Sequence, residues 1–327
     1  MQEISGFVSY LLKGECYYCR KTIYARRSGW RVKVLMCVPN ISEGKNLALI
    51  DNIAAAVKTT QKVKLLEASS DRDHNRSVIS YLGEPAQVLE ATKKLTDLAL
   101  EGIDMRVHHG DHPRMGAVDV VPFIPIRNVT GEEALKVAYE FGDYLGGKGV
   151  PVYFYEDAAS TAERNNLAAV RKGQYEALEE KLKSEAWKPD RGPALFNPKA
   201  GATAVGVRFP LIAFNVNLNT TNVEIADKIA RNVRNLSGGY RYVRAIGVNL
   251  TELGQVQVSM NLTDYTKTPI HRVMETIRSE AARYGVTVAA AEFVGPVPLN
   301  ALEELVHFYL QAHDFTVNQI IETNLLD

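Results

Sequence analysis

Three cysteines in 327 residues are too few for a disulfide framework, and they suit a reducing compartment. No apolar run approaches the roughly 18 residues that a membrane-spanning helix needs. Charge of one sign is also missing: 38 Lys and Arg balance 38 Asp and Glu, where a dedicated nucleic-acid binder carries a basic surplus. The chain has no Gly-x-Ser-x-Gly elbow, P-loop or dinucleotide fingerprint. These absences predict a soluble cytoplasmic protein with no membrane and no nucleic-acid partner.

Apolar residues make up 46% of the chain, enough for a sizeable core, and 327 residues exceed the usual single domain. Two lobes are expected. The first 35 residues stand apart, with seven Lys or Arg against two Glu and a Cys16-Tyr-Tyr-Cys19 pair. A zinc or redox knuckle there needs two more ligands, and no Cys/His pair follows at the usual spacing. The plainer reading is an extension or an upstream start, with Met36 as an alternative initiator.

From Val34 the pattern alternates between strand and helix periods. A strand at 34–38 precedes the loop Pro39-Asn-Ile-Ser-Glu-Gly44, which can open a helix carrying Leu47, Ile50, Ile53, Ala54 and Val57 on one stripe. Strands at 63–68 and 77–82 flank a polar turn. A helix at 88–100, a strand at 118–126, a helix at 132–145 and a strand at 150–155 follow. The second half repeats the rhythm: strand 211–218, helix 223–236, strands 242–250 and 256–261, helix 270–284, strand 286–294 and a closing helix at 299–312. The fold class predicted is α/β (α+β), with two successive β-α-β-β-α-β (ferredoxin-like) lobes and a ligand cleft between them. The boundaries expected are 1–35, 36–208 and 209–327. Residues 187–210, which hold four of the thirteen prolines, read as an ordered linker loop between lobes.

Three of the seven histidines fall within five positions: His108, His109 and His112. Gly110 and Pro113 oppose a helix there, so the i,i+4 zinc geometry does not apply. A loop metal site using Asp111, polar histidines without a role, and acid/base catalysis all remain open. Catalysis is favoured, because an imidazole near pKa 6.5 can take a proton from an attacking amine and return it to a leaving nitrogen. The cluster Asp71-Arg-Asp-His-Asn-Arg76 reads either as a solvated turn or as a carboxylate orienting a histidine beside an arginine that grips a carboxylate. Amides of the loop around Asn40 could meet an anion, although that signal is weak alone.

Together these runs resemble glutamate formiminotransferase. The similarity is carried by Cys37-Val-Pro-Asn-Ile-Ser-Glu-Gly44, Asp73-His-Asn-Arg-Ser-Val78 and His112-Pro-Arg-Met-Gly-Ala-Val-Asp-Val-Val-Pro-Phe-Ile-Pro125. Gly149-Val-Pro-Val-Tyr-Phe-Tyr155, Arg171-Lys-Gly-Gln-Tyr-Glu-Ala-Leu178 and Leu211-Ile-Ala-Phe-Asn-Val-Asn-Leu218 extend it in order. It runs from about Val34 to about Phe308 and looks like the free-standing form, without a cyclodeaminase part.

The resemblance implies reversible transfer of a formimino group from N-formimino-L-glutamate to N5 of tetrahydrofolate, in histidine breakdown. It implies two α/β lobes, folate in a cleft, a homodimer, and tetrahydrofolate as co-substrate with no metal required. His112 would be catalytic. Folate contacts would lie in the loop Gly192, Pro193, Ala194, Leu195, Phe196, Asn197, Pro198, Lys199, Ala200 and Gly201. Asn40, Asp71, Asp73, Arg76 and Arg114 are candidates for holding substrate or orienting His112. Two rival readings stand beside this one. One is handling of 5-formyltetrahydrofolate, by formyl transfer to glutamate or isomerisation; the other is a non-catalytic folate binder. The 35-residue front has no family counterpart.

Overall fold

A computed structural model describes residues 32–325. The Cys16–Cys19 pair lies outside the described residues. Strands β1 (Val34–Cys37) and β2 (Asn40–Ile41) form one line interrupted at Val38-Pro39, since proline has no N–H for the ladder. Amides on either side keep the line in the sheet, Val38 donating to Pro122 O and Ile79 to Pro39 O. Met36 sits inside β1, and Leu35 before it is fully buried. The loop expected to open a helix also contributes β2. Helix α1 (Leu47–Lys58) starts later, where the Asn46 side chain accepts from Leu49 N. Leu47, assigned to the apolar stripe, is exposed; Ile50, Ile53 and Val57 carry the packing.

Strands β3 (Val63–Asp71) and β4 (Arg76–Gly83) form a hairpin, followed by α2 (Pro85–Gly102), which begins with a favourable first-turn proline. Strand β5 (Val118–Arg127) and helix α3 (Gly131–Gly147) come next, the latter closed by a Thr130/Glu133 capping box. Along the sheet the order is β3-β4-β1/β2-β5, all antiparallel. Leu35, Cys37, Ile79, Tyr81 and Phe123 pack beneath the helices.

Two further strands extend this sheet in parallel. Strand β6 (Val152–Glu156) forms the edge, and β7 (Thr203–Val207) inserts between it and β5. The linker expected over 187–210 thus contains a fully buried central strand. Its second face is covered by short helices α4 (Leu167–Val170) and α5 (Leu178–Lys183), which close over Val120, Tyr153 and Tyr155. This cover is pinned by Arg164, whose guanidinium lies 2.7 Å from Asp190 and faces the rings of Tyr153 and Trp187.

The second sheet is built from β8 (Ile212–Leu218), α6 (Val223–Val233), β9 (Val243–Leu250), β10 (Gln255–Leu262), α7 (Ile270–Ala282), β11 (Val288–Val294) and α8 (Leu299–Leu310). Its order is β11-β8-β10-β9, antiparallel throughout. Counted along the chain, with β1 and β2 taken as one, the antiparallel part of the first sheet and the whole second sheet both run fourth-first-third-second. Ile212, Phe214, Val216, Val256 and Val258 face the helices. Asn215, Asn217 and Gln257 alternate onto the other face, where Gln257 Nε2 donates to Asn217 Oδ1 at 2.8 Å.

An apolar cleft of about 540 Å³ is walled by strands of the first sheet and by segments flanking β8, β11 and α8, with Leu66, Leu82, Phe209, Tyr265, Val297 and Leu299 among its walls. No described helix is long and apolar enough to cross a membrane.

Candidate active site

Three strand ends meet at one end of the first sheet. Ile41 of β2 is paired with both Ser77 of β4 and Val118 of β5, so Ser42, Arg76 and Ala117 are neighbours. The loop carrying the three histidines enters β5 directly above them. Asn75 ties the pieces together. Its Oδ1 accepts from Gly44 N at 2.9 Å, and its Nδ2 donates to His109 O at 2.9 Å. It holds a left-handed φ of 46°, which asparagine tolerates better than most residues. Gly44 and Gly110 allow the close approach, since a Cβ on either would lie within 2.3 Å of a β3–β4 turn carbonyl.

The three histidines have different surroundings. His108 is buried; its Nε2 lies 2.8 Å from Asn75 O and its Nδ1 accepts from Arg114 Nε at 3.3 Å. It works as a neutral strut, with burial the main cause lowering its pKa. His109 contributes its backbone carbonyl. His112 faces Arg76, with Nε2 2.6 Å from Arg76 Nη1. A guanidinium can only donate, so Nε2 carries the lone pair. Burial pushes the His112 pKa down to about 3, reinforced by the charges of Arg76, Arg171 and His74.

The candidate carboxylates lie elsewhere. Asp71 Oδ2 is 2.8 Å from His74 Nδ1, so Asp71 orients His74. Asp73 is joined to the histidine loop through its backbone carbonyl, which accepts from Asp111 N. Arg114 lines the same small pocket as His112, and its guanidinium is held by both oxygens of Glu176, at 3.0 and 2.6 Å. The loop amides offered to an anion are already bonded: Ser42 N to Ala117 O, Gly44 N to Asn75, and Lys45 N and Asn46 N to Glu43 Oε1. Asn40 lies two residues short of the cluster, its Nδ2 donating to Val38 O.

Two residues absent from the sequence-based candidates complete the cluster. Asp119, the second residue of β5, is buried; it accepts from Met115 N at 2.8 Å and pairs with Arg171. Burial raises its pKa, with Arg171 opposing. A signal existed: an Asp between Val118 and Val120 in a buried strand demands a partner.

The segment Gly192–Gly201 is anchored at two places. Gly192 packs against Val150 O and Gly146 at the end of α3, while Ala200 O accepts from Ala117 N and Gly201 bridges Gly116. Between them, Asn197 bonds Gly149 O and Ala200 N, Lys199 bonds Glu101 O, and Phe196 and Pro198 meet Tyr175. Pro193, Ala194 and Leu195 are exposed. None of the ten lines the small pocket around His112. Among the described residues, no group of three or more His, Cys, Asp or Glu side chains is arranged to hold a metal ion.

Comparison with known proteins adds a direct reading. Residues 34–208 match the formiminotransferase domain, N-terminal subdomain, and residues 213–325 match the formiminotransferase domain. A glutamate formimidoyltransferase of Streptococcus pyogenes serotype M1 is 47% identical over 296 residues, covering 90% of this chain and 99% of that protein. One from Thermoplasma acidophilum is 43% identical over 297 residues, covering 90% and 98%. A formimidoyltransferase-cyclodeaminase of Sus scrofa is 44% identical over 294 residues, which cover 88% of this chain and 54% of that longer protein. With both of its halves matched in order, the chain belongs to the formiminotransferase family.

Proposed function

We propose that the chain is a glutamate formimidoyltransferase that moves the formimino group between N-formimino-L-glutamate and N5 of tetrahydrofolate, with His112 as acid and base. Relatives of that name, matched over nearly their full length, support the reaction. The observation that carries the role of His112 is its Nε2 lone pair, kept free of a proton in a buried cluster. N5–H attacks the amidine carbon, and Nε2 takes the N5 proton. The same nitrogen then protonates the departing nitrogen of glutamate. The N5–C bond forms, the glutamate N–C bond breaks, and one proton is relayed, so the histidine ends as it began.

The folate site is assigned to Gly192–Gly201 and the face of the first sheet. The apolar cleft at Leu82 lies six residues along β4 from Arg76, roughly 20 Å at strand rise. An elongated co-substrate suits such a face. Residues 36–208 and 209–327 form its two subdomains, the second built on the sheet that begins with β8. The protein works in the cytoplasm as a homodimer, and a sedimentation mass near twice 36.2 kDa is expected.

Purified protein should turn over formiminoglutamate with tetrahydrofolate, and His112→Asn should lower kcat by about 10²–10⁴-fold while folate still binds. Activity confined to 5-formyltetrahydrofolate and glutamate would replace this reaction with formyl transfer. Unchanged turnover in the variant would remove His112 from the chemistry.

A further inference from the structure

Two guanidinium groups at the site have an edge with no partner. Arg76 donates from Nη1 to His112, and Arg171 pairs with Asp119 through Nη2. The Nε of each is buried and has no hydrogen-bond acceptor. A buried N–H without an acceptor is costly, and two on neighbouring cations call for an anion. The charges around His112 also fail to balance. Arg76, Arg171 and Arg114 are cationic, and Arg114 is neutralised by Glu176 outside the pocket. Asp119 offsets Arg171, while Asp71 lies behind His74. His108 is held neutral between Asn75 and Arg114. One positive charge, that of Arg76, is left facing His112.

We propose that Arg76 and Arg171 together bind a carboxylate of the amino-acid substrate through their unpartnered Nε–H edges, with Arg76 coupling that anion to His112. This rests on the formimidoyltransferase reading, in which one substrate is a dicarboxylate. The coupling is electrostatic. In the free protein burial makes His112 a weak base, and Arg76, which donates to the Nε2 lone pair, adds a charge that opposes a second proton. A carboxylate against the guanidinium offsets that charge and restores the basicity needed to take the N5 proton. The proton relay is thereby armed by the substrate that needs it. The pocket now has no room for a water molecule, so the substrate must part its side chains. His74, about half exposed, is the wall placed to move.

Histidine-ring NMR of the full chain tests this without any formimino transfer, with His112→Asn used to assign the signal. L-glutamate is the probe. Saturating glutamate should raise the His112 titration midpoint by about one pH unit or more. Arg76→Gln should show the raised midpoint without ligand and respond little to glutamate. Arg171→Lys keeps a charge for Asp119 but loses the planar edge, and it should weaken glutamate binding about tenfold while leaving the ligand-free midpoint low. Circular dichroism melts of each variant confirm folding.

A midpoint unmoved by glutamate, or still low in Arg76→Gln, overturns the proposal. A shift caused by pteroylglutamate but not by pteroic acid or glutamate assigns the pair to the folate tail and equally overturns it. Loss of the transferase reading would show instead as absent turnover with the NMR response intact.

Discussion

Asp71 holds His74, with Oδ2 2.8 Å from Nδ1, and Asp71 Oδ1 accepts the amides of Asp73 and His74. The hydrogen bonds from His74 keep the Asp71 carboxyl below its ordinary range. His74 in turn stands edge-on to His112, with ring centres 6.2 Å apart. The carboxylate therefore reaches the proposed proton carrier only through a second imidazole. Asp71→Asn should lower kcat/KM by about tenfold, the scale of a residue that orients a neighbour, measured beside His112→Asn. A loss as large as that of His112→Asn would place Asp71 in the proton transfer.

Asn75 is a stability determinant as well as a pin. Asn75→Ala removes two hydrogen bonds, leaves Gly44 N without its acceptor, and puts alanine at positive φ. The expected cost is about 3 kcal/mol, from roughly 1 kcal/mol per bond plus the left-handed penalty. Asn75→Gly relieves the backbone part and should recover about 1 kcal/mol in urea unfolding. Activity should stay low in both variants, because the Gly44 and His109 loops lose the same tie. Recovery of full activity in the glycine variant would show that the side-chain bonds do not position His112.

The order of elements was legible because most are amphipathic at one clear period. Strand β7 was not. Thr203-Ala-Val-Gly-Val207 is short, buried on both faces, and set among prolines and glycines, so it offers no alternation and reads as linker. Strand β2 was missed because Asn40 and Ile41 look like loop until their pairing with β4 and β5 is seen. At the site, the histidine cluster and the family resemblance brought His112 and Arg76 to notice but not their contact, which joins residues 36 positions apart. Nor could spacing choose between Asp71 and Asp73, and it passed over Asp119. Burial sets Asp119 apart, since it lies inside the sheet and Asp71 on its rim.

The Arg164–Asp190 pair should be the stability hinge of the α4–α5 cover. Both side chains are over nine-tenths buried, and Arg164 also bonds the carbonyls of Ala186 and Lys188. Asp190→Ala strands the cation and should cost about 3–5 kcal/mol in chemical unfolding. Arg164→Met combined with Asp190→Ala should be milder than Asp190→Ala alone, because no charge is left buried. A double variant at least as unstable as the single one would mean that packing of Arg164 on Trp187 outweighs the charge.

Acid should destabilise the protein through its site histidines. The folded-state pKa of His112 is depressed to about 3 and that of His108 is also lowered, whereas both groups sit near 6.5 when unfolded. Below pH 6.5 the unfolded chain therefore binds protons that the folded chain refuses. Stability from these neutral imidazoles is complete above that point and drains away as pH falls toward 3. Each such proton contributes a slope of about 1.4 kcal/mol per pH unit. Urea unfolding at pH 7, 6, 5 and 4 should show the wild type losing stability more steeply than His112→Asn, with the difference near one proton. Parallel slopes would mean that His112 takes its proton in the folded state, and the Arg76 contact would then not keep Nε2 bare.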